Sequence, residues 1–153
     1  MFRTAAIVIS SLILVVAVLA YYLFDFGKPQ AAKRTKVKIG AAEFEVEVAA
    51  TAYLRTRGLS DRDFLPPDSG MLFIFPEPMT QTFWMKGMKF PLDIIWIRGD
   101  RIVGIEKNVP PEPGVSIFGL KLYTSPAAVD KVLEINAGLA EKYGLEIGDR
   151  LEL

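Results

Sequence analysis

The sequence predicts a mainly β fold: a small antiparallel β-sandwich or partly open barrel with two short helices, preceded by one N-terminal transmembrane helix. Three observations carry this. Residues 42–48 alternate acidic and apolar side chains, Pro, Gly and Asp turn clusters recur between residues 66 and 149, and an uncharged run of 21 residues stands near the start.

That run, TAAIVISSLILVVAVLAYYLF over residues 4–24, would form a helix about 31 Å long, which matches a bilayer core of about 30 Å. Tyr21 and Tyr22 fall where aromatic rings favour the headgroup level. Residues 1–24 are read as a transmembrane anchor or an uncleaved signal, with the lipid bilayer as the partner of residues 4–24. Val18-Leu19-Ala20 keeps signal cleavage open. Residues 25–36, DFGKPQAAKRTK, mix Gly, Pro and cations without apolar periodicity and are read as a basic linker.

Residues 37–153 form the predicted β-rich domain. In 42–48, Glu43, Glu45 and Glu47 mark an outer face and Phe44, Val46 and Val48 an inner one. Further strands are expected over 71–75, 81–85, 93–98, 101–107, 118–123, 129–135 and 150–153. Thr51 offers a cap for a helix that stops near Gly58. Asn136 offers one for residues 137–143, with Gly144 just past the end.

The chain of 153 residues has 0 Cys and 0 His. That excludes disulfides, thiolate nucleophiles, zinc fingers and the Ser-His-Asp relay. No phosphate-loop, dinucleotide or calcium-loop motif is present, so no cofactor and no metal is expected. Net charge is zero, but residues 1–36 hold five basic and one acidic residue while residues 37–153 hold 13 basic and 17 acidic. An acidic domain with scattered cations is a poor nucleic-acid binder. The cations after the run, counted by the positive-inside rule, favour a cytoplasmic domain.

Chemistry is sought in three places. Residues 70–97 hold Met71, Met79, Met85 and Met88 with both tryptophans, a pattern of either a core or an apolar groove for a protein, peptide or small-molecule ligand. Within it Lys86 precedes Asp93 by seven positions, a spacing that allows an ion pair, structural or catalytic. The cluster Arg55, Arg57, Arg62 with Asp61 and Asp63 suits either an anion site or the tying of a helix end to its neighbours. Around Glu134-Ile135-Asn136 a strand gives way to a capped helix, whose start could cap or receive an anion.

Gly58-Leu59, GMLFIF over 70–75, FWMKGMKFPLDIIWI over 83–97, VLEINAG over 132–138 and Gly148-Asp149 together resemble the family called domain of unknown function 192. The resemblance implies a small β-rich domain behind an export signal or anchor, with no assigned activity. The family signature falls on Arg57, Gly58, Gly70, Met71, Trp84, Met85, Lys86, Asp93, Glu134, Asn136, Gly138 and Asp149. The chain departs from it at Ser60 and at Gly87-Met88, where many members carry Met and Asn-Thr. Usual export implies an extracytoplasmic domain, against the charge count, and the domain is read as extracytoplasmic. The expected function is a membrane-anchored binding or accessory module of the cell envelope, with Arg57, Trp84, Met85, Lys86 and Asn136 as ligand-binding residues. The alternative is a hydrolase or transferase using Lys86 with Asp93 or Glu134 as acid and base.

Overall fold

The computed structural model describes residues 32–153, so the predicted membrane helix over 4–24 and most of the predicted linker lie outside the described residues. Among the described residues no helix is long and apolar enough to cross a membrane. The order is β1 (Lys33–Ile39), β2 (Ala42–Ala49), α1 (Ala52–Arg57), β3 (Ser69–Met79), β4 (Thr82–Phe83) and β5 (Leu92–Arg98). Then come β6 (Arg101–Val109), β7 (Tyr123–Thr124), β8 (Val129–Asn136), α2 (Leu139–Lys142) and β9 (Leu151–Glu152).

Seven strands form one sheet in the order β6-β5-β8-β3-β2-β1-β9, and β4 pairs with β7 in a separate ribbon. This is a curled half-barrel and not a two-sheet sandwich. The curl brings the sheet's two margins together: β9 pairs with β1, and Arg150 beside it bridges to Arg101 at the start of β6. Backbone bonds from Ile102 N to Asp149 O and from Leu151 N to Asp100 O, 2.9 and 2.8 Å, hold that seam. The predicted antiparallel sheet is also corrected, since β2 and β3 run parallel. Parallel neighbours need a crossover, which the α1 segment supplies.

The linker prediction fails for its last residues, because β1 begins at Lys33. The cations that looked like a tether are cross-strand partners. Arg34 stands opposite Glu47, Lys36 opposite Glu45 and Lys38 opposite Glu43, and Lys36 Nζ lies 2.6 Å from Glu43 Oε1. Such exposed pairs add little stability each, but they match β1 to β2 across the ladder. The strand expected over 118–123 is mostly loop, with only β7 at its end.

Both faces of the central strands are covered. Leu72, Ile95, Ile97, Leu133 and Ile135 join Phe44 and Val46 in one core, sealed by Ala140 of α2. Met71, Phe73, Ile94, Trp96 and Val132 join Leu59, Met85 and Met88 in the other. Two-sided burial is why β3, β5 and β8 read as near-continuous apolar runs. Pro76 and Pro78, which donate no N–H, fall where β3 slips register against β8 between Ile74 and Met79.

Gly70 shows how tightly β3 meets β8. A Cβ there would lie 2.6 Å from the Glu134 carbonyl oxygen, a backbone atom with no room to retreat. Gly70→Ala is therefore expected to cost about 2 kcal/mol. Urea unfolding checks this, and an unchanged midpoint would refute the close approach.

Candidate functional site

Helix α1 forms because Thr51, in extended conformation, accepts a hydrogen bond from Leu54 N at 3.2 Å, as the sequence suggests. It stops at Gly58, whose φ of 52° suits glycine. No residue of this single helical turn and a half is buried. Between it, the end of β3 and β4 opens a cleft of about 330 Å³, lined by Arg55, Thr56, Phe73, Phe75, Gln81, Thr82, Phe83 and Trp84 among others. The aromatic walls are braced edge to face: Phe73 against Phe83 at 4.9 Å and Phe83 against Trp96 at 5.6 Å between centroids.

Besides Thr56 and Thr82, two polar side chains share this lining, Arg55 and Gln81. Arg55 Nη1 donates to the carbonyls of Ala50 and Ile74, 2.6 and 3.0 Å, and its guanidinium lies 5.3 Å from the centre of the Phe75 ring. Guanidinium has five N–H donors, so Nε and Nη2 remain for other acceptors. Gln81 Nε2 is buried with no hydrogen-bond partner among the described residues. Unpaired buried amides are costly and uncommon, which makes this one notable.

Of the five predicted ligand residues, only Trp84 lines the cleft. Lys86 is exposed, with its ammonium 5.9 Å from the Trp84 ring centre. Met85 is 1% exposed and packs in the second core with Met71 and Met88. Met71, Met85 and Met88 thus fill core space, Met79 is exposed at the end of β3, and none of the four lines the cleft. Arg57 is exposed at the end of α1, outside the cleft lining. Asn136 ends β8 and donates through Nδ2 to the carbonyls of Leu65 and Pro66, both at 3.0 Å.

Asn136 therefore does not cap the last helix. Helix α2 begins after Gly138, which has no side-chain cap bond, and the cap comes from another strand. Asp93 of β5, fully buried, accepts from Ala140 N through Oδ2 and from Asn108 N through Oδ1, both at 2.8 Å. Asp93 is thus a remote cap, and no ion pair joins it to Lys86 among the described residues. Glu134 sits on the opposite face, beside Met71 of β3 and Ile94 of β5 in the ladder, and burial pushes its carboxyl up to about 8. Neither carboxyl lines the cleft. The acid–base set predicted for an enzyme is therefore not assembled here.

The Arg cluster resolves into ties as well. Arg62 forks onto Glu47 with two bonds of 2.8 Å and holds that carboxyl below its usual range, chiefly through the hydrogen bond. Lys89 reaches Asp63 at 2.7 Å. Sequence reasoning missed Gln81 altogether, since a lone Gln between Thr residues carries no motif. It named Arg55 only within the cluster.

No curated protein matches the chain. The solved structures similar to the chain include two that are each 32% identical in sequence. One, a protein of unknown function from Novosphingobium aromaticivorans DSM 12444, aligns over 78% of this chain and 85% of its own with a TM-score of 0.71. The other, provisionally described as a transcription regulator from Sinorhizobium meliloti 1021, aligns over 82% and 97% with a TM-score of 0.72. Residues 35–153 match the family described as DUF192, Uncharacterized ACR, whose span coincides with the half-barrel. The chain belongs to the family of domain of unknown function 192.

Proposed function

We propose that the protein is a membrane-held binding module of the cell envelope that seats a flat apolar ligand with an anionic or acceptor end in the α1 cleft. The carrying observation is the unpartnered Gln81 amide in an aromatic-walled cleft that also holds Arg55. Apolar walls with a few polar groups are the usual makeup of a small-molecule site, and the volume falls at the low end of that range. Phe75 and Trp84 would flank the ligand body and the spare Arg55 donors would take its polar end, joined by the Gln81 amide once its side chain turns out of its buried position. The membrane part rests on the uncharged run over 4–24, and the extracytoplasmic side on the export signal implied by the family resemblance.

Thr56→Trp tests the site without touching its donors, because Thr56 is exposed and lines the cleft. Saturation-transfer NMR of the full chain with a panel of aromatic carboxylates, indole-3-acetate first, should give saturable binding. The Trp side chain should weaken it about tenfold or more, or roughly 1.4 kcal/mol, at unchanged melting temperature. A panel that binds both forms alike, or neither, would sink the cleft as the site.

A further inference from the structure

We propose that the loop of residues 110–122 docks the domain on a lipid bilayer by inserting its apolar tip among the headgroups. Phe118 is 99% exposed, and Leu122, Ile117 and Val115 are 59, 45 and 44% exposed. A cluster of large apolar side chains held in water marks a surface that some partner covers. The tip is built to be presented. Glu112 accepts from Lys121 N through both carboxyl oxygens at 3.2 Å, Gly119 N donates to Ser116 O at 2.9 Å, and Leu120 is buried behind the tip.

Charge and surroundings favour lipid over protein. From Pro113 to Tyr123 the only charged residue is Lys121, whose ammonium lies 4.6 Å from the Tyr123 ring centre. Phe83 pairs with Tyr123 in the β4–β7 ribbon, so Trp84 and Leu122 are the next residues along the two strands. Trp84 is 44% exposed with Lys86 beside it. Exposed Phe, Trp and Leu flanked by Lys suit an interface with anionic headgroups.

The chain ahead of the domain argues for the same occupant. The uncharged run ends at residue 24 and β1 begins at Lys33. The eight residues between reach at most about 29 Å even when fully extended. That is less than the diameter of a domain this size, about 35 Å. A run that spans a bilayer would therefore be joined to the domain by a tether shorter than the domain is wide. The tether rests on the membrane reading above, whereas the loop's exposure and composition do not.

Phe118→Trp, at a site free of packing, reports the tip. The full chain is reconstituted in vesicles of phosphatidylcholine and phosphatidylglycerol with brominated acyl chains, and its emission is compared with wild type to subtract Trp84 and Trp96. The added emission should be blue-shifted and lose intensity to the bromines. Phe118→Trp combined with Ile117→Asp should lose both effects. Added emission that stays red and unquenched would overturn the proposal and leave the tip to a protein partner. Flotation after a carbonate wash reads the anchor separately. A chain that fails to float refutes the anchor, while quenching on adding the same vesicles to it still decides the loop.

Discussion

Asp93→Ala is expected to cost the domain about 4 kcal/mol of unfolding free energy, much of a small domain's stability. The carboxyl is fully buried and holds two backbone amides from different parts of the chain, Asn108 in β6 and Ala140 at the start of α2. Ala would leave both N–H groups without an acceptor, at about 1 to 3 kcal/mol each. It would also open a void beneath α2. Asn108 has a φ of 54°, a conformation that the bond to Asp93 offsets. Asp93→Asn keeps one acceptor but turns an N–H₂ toward the second amide, so about half the loss should remain. Urea unfolding of both variants measures this. A loss below about 1 kcal/mol in the Ala form would refute the remote cap.

The same residue explains which parts of the fold could be read from sequence. Strand β2 was legible because one acidic face and one apolar face repeat every two residues, and α1 because Thr51 and Gly58 bracket it. The cap of α2 was not legible, because it lies 47 positions away on another strand. Asn136, next to the helix and of a capping type, was the better local guess. Strand β1 was hidden for a related reason: its cations matter only opposite Glu43, Glu45 and Glu47, and that pairing exists only once the register is known. The parallel β2–β3 pair leaves no mark in either strand.

The residues that carry the family resemblance turn out to be largely fold-building. Gly70 permits the approach of β8, Asp93 caps α2, Asn136 ties down residues 65 and 66, and Gly138 takes a φ of 85° ahead of α2. Gly87, where many members carry Asn, has a φ of 67°, a conformation that both residue types accept. That departure thus keeps the backbone of the turn. Only Trp84 of the signature lines the cleft. Of the other expected ligand residues Met85 lies in the core, Asn136 is a tie, and Arg57 and Lys86 are exposed outside the cleft. Arg55, Phe75 and Gln81, by contrast, line the cleft and fall outside the signature positions.

Glu134 should give the protein an unusual pH profile. Its carboxyl, raised to about 8 by burial, keeps a proton that an unfolded Glu releases near pH 4.3. The native state therefore binds one proton more than the unfolded state across that window. The resulting stability is fully present below about pH 4.3 and is lost as pH rises toward 8. Between pH 5 and pH 8 the loss is on the order of 3 kcal/mol. The paired carboxyls Glu47, Asp63 and Asp130 have lowered values, so their contribution falls only in more acid solution and leaves this window to Glu134. Glu134→Gln preserves shape and removes the proton, so its stability should be nearly flat from pH 5 to pH 8. Equal slopes for the two forms would mean that the carboxyl reaches water or a partner. Because Glu134 faces Met71 and Ile94 and does not line the cleft, this pH dependence reports on the second core alone.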